Sequence, residues 1–132
     1  MAGGYQLTED DVLNGVKFSD GIGACAWPIE VVNANPLLGR VVKNLYKPQD
    51  WYLIPYQCLV PKGVENLLMA GRFISTTHRA LASARVMGPA VVMGQAIGVA
   101  ATLSIGSNIT PRQLDVTLLQ NELKSQGVWL GP

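Results

Sequence analysis

Three kinds of hydrophobic patterning run along this chain, and each marks a different kind of element. Residues 66–70 (NLLMA) form a short apolar run that stops at Gly71, the pattern of a fully buried strand. A polar segment follows, carrying Ser75, Thr76, Thr77, His78, Arg79 and Arg85. From Gly88-Pro89 onward the chain is rich in Ala, Val and Gly and has no charge until Arg112. Proline is tolerated in the first helical turn, where its missing N–H costs no hydrogen bond, so a long helix is predicted to open here. A buried strand, a polar crossover and a glycine-led helix start together make a natural anion or dipole site. The unpaired N–H groups of the first turn point at whatever lies there.

The remaining elements follow from local signals. Thr8 followed by Glu9, Asp10 and Asp11 reads as a capped helix start, with Gly15 placed to end it. Residues 18–29 mix small and large side chains (Gly21, Gly23, Ala24, Cys25, Ala26, Trp27) up to Pro28. Close backbone packing, or a loop passing near a ligand, explains so many small residues. Glu30 stands among Ile29, Val31 and Val32 and is read as an outward-facing strand residue, with a functional acid as the alternative. Residues 33–49 look like a loop or hairpin excursion in which Val41-Val42 forms a small strand. Residues 51–60 suit a strand that Pro55 confines to an edge or a bulge. Pro61-Lys62-Gly63 is a turn, 105–110 a loop, and 111–127 an amphipathic helix capped by Asp115 and closed by Gly127.

Length and charge narrow the function classes. The chain has 132 residues, enough for one domain with a real core, and a formal net charge of +1. Its basic residues are scattered without interleaved aromatics, so no nucleic-acid surface is expected. The N-terminus lacks a basic stretch followed by an apolar core, so no signal peptide is expected and a cytoplasmic location is favoured. The uncharged stretch after Arg85 is long enough to cross a bilayer, and Gly94 and Gly98 form a small-xxx-small pair. Gln95, Thr102, Ser104, Ser107 and Asn108 interrupt it, so a buried helix is expected and no membrane span. Cys25 and Cys58 are isolated and read as two buried free thiols.

The candidate chemistry is sparse. His78 is the single histidine, no ligand spacing surrounds it, and no metal site is expected. Ser75 is not in a nucleophile elbow. What remains is the group Arg72, His78, Arg79 and Arg85 just before a helix start, able to stabilise negative charge developing on a bound ring or carboxylate. The alternative is that the arginines are solvated or paired and His78 is a hydrogen-bonded loop residue.

The run PKGVENLLMAGRFISTTHRALASARVMGPAVVMGQAIGVAA resembles the C-terminal signature of FAD-dependent oxidoreductases, in particular the bacterial branch related to fumarate reductase and succinate dehydrogenase flavoproteins. Leu7, Asp11, Val12, Leu13, Gly15 and Phe18 resemble that family's entry motif, and Ile54-Pro55-Tyr56 with Leu59-Val60-Pro61 its "IPY…LVP" strand. Residues 110–116 also fit, so the resemblance covers nearly the whole chain. It implies an α/β fold (α+β in isolation), the C-terminal piece of a Rossmann-like nucleotide-binding flavoprotein. Residues 1–60 would belong to a substrate-side cap and 61–132 to the FAD-binding domain. Gly71 and Arg72 would lie beside the ribityl–pyrophosphate of FAD, and Met87, Gly88, Pro89 and Ala90 at the helix start would face the N1/O2 edge of the flavin ring. His78 and Arg85 would be the catalytic candidates, acting on a small-molecule substrate during hydride transfer.

Two departures matter. The family's acid-x-His pair keeps Glu30 but has Val32 where the histidine stands. No G-x-G-x-x-G fingerprint follows an N-terminal strand, since Gly21-Ile22-Gly23 lacks the third glycine and the helix. The AMP half of FAD therefore has no seat here. The expected partner is an N-terminal FAD-binding half, or a homo-oligomer, and the chain alone is expected to bind FAD weakly and to be inactive. A non-catalytic assembly module built on the same scaffold is the alternative.

Overall fold

The computed structural model describes residues 2–34 and 41–132. It is a mixed α/β arrangement whose strands pair only antiparallel among the described residues. Helix α1 (Glu9–Leu13) starts where Thr8 predicts. The Thr8 hydroxyl accepts from the Asp11 amide at 3.2 Å, and the Asp11 carboxylate accepts from the Thr8 amide at 2.8 Å. Each side chain satisfies a helix-start donor that has no partner within the helix. Gly15 (φ 63) and Gly127 (φ 86) end the first and last helices in the left-handed region, which costs glycine nothing.

Strand β1 (Gly21–Cys25) pairs antiparallel with β4 (Tyr52–Pro55), with a register shift between Gly21 and Ala24; β4 ends at Pro55, short of the strand expected over 51–60, and Tyr56–Cys58 form a 3₁₀ turn. Strands β2 (Ile29–Ala34) and β3 (Val41–Tyr46) make a second antiparallel pair, the expected excursion. The tip of that excursion, residues 35–40, lies outside the described residues.

Helix α2 (His78–Ala84) packs on β2, and helix α3 (Met87–Gly106) packs on β1 and on helix α4 (Val116–Ser125). The small residues of 18–29 serve close packing. A Cβ on Gly23 would run into Val92 Cγ1 of α3, and one on Gly21 would lie 2.6 Å from Leu53 Cδ1. The helix can therefore press directly onto the strand backbone. Pro89, Met93, Ala96, Ala100 and Ser104 form the inner stripe of α3, and Leu119 and Leu123 of α4 complete one core that reaches back to Leu7, Val12, Ile22 and Tyr56. That core draws on both sides of Pro61.

Residues 66–70 are not a strand. Asn66 has φ 57, Leu67 is exposed, and among the described residues the one backbone bond donated by this segment runs from Met69 to the Leu59 carbonyl, at 2.8 Å. A buried strand needs a ladder on at least one side, and here none of the described residues offers it. Apart from that one bond the segment joins no ladder among the described residues. Three boundaries also shift. Helix α3 begins at Met87 and runs on to Gly106, into the expected loop. The C-terminal helix splits into a 3₁₀ turn (Pro111–Gln113) and α4, with Asp115 Oδ1 accepting from the Thr117 amide at 2.9 Å.

Candidate functional site

The polar segment after Gly71 folds into a helix that its sequence did not announce. Thr77 caps it, its hydroxyl accepting from the Ala80 amide at 3.3 Å, and Ala80, Ala82 and Ala84 let it sit close to its neighbours. His78 opens α2 and Arg85 caps its C-terminal end, seven residues on and so two turns along the same face. That face looks at β2. His78, Leu81, Ala82 and Arg85 line a cleft of about 210 Å³ whose opposite wall is Glu30 and Val31. His78 and Arg85 are exposed and Glu30 is half-buried. An imidazole, a guanidinium and a carboxylate thus converge on one small opening, two residues before α3 begins.

The rest of the basic group disperses. Arg79 leaves the cleft, pairs with Glu9 at 2.8 Å and lies 5.1 Å from the centre of the Tyr46 ring, tying α2 to α1 and β3. Arg72 is exposed in a 3₁₀ turn (Gly71–Phe73) that packs against α3. Gly71 has φ +63, and a side chain there would meet nothing within 4 Å. At the start of α3, Met87 and Gly88 are exposed, Pro89 is buried and Ala90 is half-buried. Val86 offers no side-chain cap, so the amides of Met87 and Gly88 face outward without a helical partner.

The outward-facing reading of Glu30 is thus modified: Glu30 sits on a strand and also walls the cleft. Sequence spacing does not bring a residue at 30 beside one at 78. The signal that was present for α2 itself is Thr77 followed by an alanine-rich heptad.

Behind the cleft lies a buried polar knot. Ser83 on α2 donates to the Trp27 carbonyl at 2.6 Å and meets the Tyr52 hydroxyl at 2.9 Å, with Cys25 Sγ at 4.0 Å. It fastens α2 to the β1–β4 pair and to the connection between β1 and β2. Burial, with the neighbouring Cys25 adding to it, raises the Tyr52 phenol above its ordinary range. Cys25 and Cys58 are both free and buried, and burial pushes the Cys58 thiol up to about 12. Among the described residues no three His, Cys, Asp or Glu side chains gather as a metal cluster.

Gly21-Ile22-Gly23 lies inside β1, buried between β4 and α3, so it offers no loop for a pyrophosphate. The outward amides at Met87 and Gly88 and the open turn at Gly71 do fit the ring-side portion of a flavin nucleotide, since both present backbone with free space before it.

Comparison with curated proteins and with solved structures gives no match. Comparison with protein families gives one, described as FAD dependent oxidoreductase and spanning residues 1–123. That match runs through the cleft, the 3₁₀ turn and the whole of α3, so the chain belongs to the FAD-dependent oxidoreductase family.

Proposed function

We propose that this chain is the C-terminal portion of an FAD-dependent oxidoreductase of the branch related to fumarate reductase and succinate dehydrogenase flavoproteins. Residues 61–132 would supply the end of the FAD-binding domain, and 1–60 part of the substrate-side cap. The observation that carries this reading is the cleft of Glu30, His78 and Arg85 immediately before the open N-terminus of α3. A substrate held there lies next to the place where a flavin ring meets helix amides.

Gly71, Arg72, Met87, Gly88, Pro89 and Ala90 would hold the flavin. Bound there, the flavin supplies the hydride acceptor or donor of the reaction. The chain's own contribution is electrostatic and positional. The α3 N-terminus places partial positive charge, and two unpaired amides, where a reduced ring carries negative charge. Arg85 orients an anionic or polar substrate group by directed hydrogen bonds. His78, across the same cleft, holds or delivers a proton at the substrate carbon or oxygen that changes charge. Glu30 forms the facing wall of the cleft. The inner face of α3 is buried against β1 and α4, which supports reading it as a helix of the flavoprotein and not as a membrane span.

A flavin titration tests the proposal. Purified chain is mixed with FAD, alone and then with the polypeptide that carries the dinucleotide-binding half, following flavin fluorescence and the visible spectrum. Binding that requires both halves is the expected result. No spectral change in either mixture sinks the enzymatic reading and leaves a non-catalytic assembly module on the same scaffold.

A further inference from the structure

The charged groups of the cleft between α2 and β2 are not spent on one another. Among the described residues the ion pairs join Lys17 to Asp50, Arg79 to Glu9 and Arg112 to Glu65. Neither Arg85 nor His78 therefore comes within ion-pair distance of a Glu30 oxygen. Arg79, next in sequence to His78, is drawn off to Glu9 and adds no charge to the opening. The cleft thus presents a guanidinium and an imidazole on its helix wall and a carboxylate on its strand wall, with Val31, Leu81 and Ala82 as apolar surface among them. Glu30 is half-buried, and a carboxylate drawn partly out of water is costly until a donor reaches it.

We propose that this cleft binds a small 2-amino acid, with the ligand carboxylate on Arg85, its ammonium on Glu30 and a short aliphatic side chain against Val31, Leu81 and Ala82. A guanidinium meets a carboxylate through two parallel charge-assisted hydrogen bonds. The ammonium donates to Glu30 and offsets its lost hydration. Other small ions answer one wall and not the other. A plain carboxylic acid leaves Glu30 without a donor, and an amine without a carboxylate leaves Arg85 without an acceptor. A dicarboxylate turns its second carboxylate towards Glu30, where like charges repel. A ligand with both charges on neighbouring atoms satisfies both walls, and a volume of about 210 Å³ restricts it to a small one.

This names the substrate class for the cleft and rests on reading it as the substrate site, but the recognition itself needs no flavin. The test follows the ring protons of His78, the single histidine of the chain, by NMR at fixed pH in the purified full chain without FAD. Alanine, propionate, ethylamine and succinate are the probes. Alanine should give a saturable shift, and the other three should each bind about tenfold or more weakly, as the loss of a charged hydrogen bond dictates. Glu30→Gln should remove the advantage of alanine over propionate, and Arg85→Gln its advantage over ethylamine, with circular dichroism unchanged in both. The ligand series on the parent chain decides by itself where either variant loses the fold.

No saturable shift with alanine, propionate or succinate binding as tightly as alanine, or a preference for alanine over propionate that survives Glu30→Gln in a folded chain overturns the proposal. The flavin titration fails or succeeds separately. A chain that discriminates these ligands but never binds FAD keeps the amino-acid cleft and loses the flavoenzyme. A chain that binds FAD with its partner but ignores alanine keeps the flavoenzyme and loses the amino acid.

Discussion

Gly23 shows how much one hydrogen atom decides. Its place in β1 lets Val92 of α3 rest on the strand backbone, and any Cβ would occupy the volume that Val92 Cγ1 fills. Gly23→Ala should therefore cost about 1–3 kcal/mol, the usual penalty for overpacking a tight contact. Urea unfolding checks it, and Val92→Ala in the same chain should recover part of the loss. Sequence alone made the density of small residues visible here but left open whether they served packing or a ligand, because the facing helix lies far along the chain. Cys58 shows the opposite kind of legibility. An isolated cysteine reads as a buried thiol, and the structure buries it completely. Its titration sets a stability limit at high pH. Burial raises the thiol from 9.0 to about 12, and burial likewise raises the Tyr56 phenol from 10.0 to about 12. Both groups ionise first in the unfolded chain, so the stability they contribute is complete below pH 9 and is lost as pH rises towards 12. Thermal midpoints should be flat up to pH 9 and fall steeply above it, and Tyr56→Phe should shallow that fall.

At the scale of elements, what the sequence announced was whatever local chemistry determines. The cap of α1 depends on Thr8 and Asp11 three residues apart, and the cap of α4 on Asp115 two residues before the amide it receives. Asp115→Ala should cost about 1 kcal/mol by leaving a helix-start donor unpaired, and Asp115→Asn should restore most of it. Denaturant midpoints of the two variants compare them directly. The apolar run at 66–70 misled for a physical reason. Its composition is that of a buried strand, but a strand is a relation between two segments, and composition reports one of them. Helix α2 was missed from the other side. Its seven residues are too few for an amphipathic period to stand out, and its helical state rests on a threonine cap and on packing against β2.

At the scale of the molecule, the candidate site is a product of topology. His78 and Arg85 were readable as a pair from their motif, whereas Glu30 joins them because the β2–β3 pair folds over α2. In a reconstituted flavoenzyme, His78→Ala should lower kcat by about a hundredfold if it handles the proton. Arg85→Ala should mainly raise KM, by roughly tenfold or more, as the loss of a charged hydrogen bond does. Both side chains are exposed, so unfolding free energies should change by no more than about 0.5 kcal/mol. Unchanged steady-state kinetics for both variants would move the chemistry away from this cleft. The position of β1 has a consequence of its own. It is held on one side by β4 and on the other by α3, and Gln120 of α4 donates to the Ser19 and Gly21 carbonyls, each at 2.9 Å. A ribosome delivers Gly21 of β1 99 residues before the Gln120 side chain that holds it. Synthesis of the strand and completion of its cover are therefore separated in time. Strand β1 lacks part of its support until α4 has left the exit tunnel, and a nascent chain released before that point leaves the strand incompletely covered.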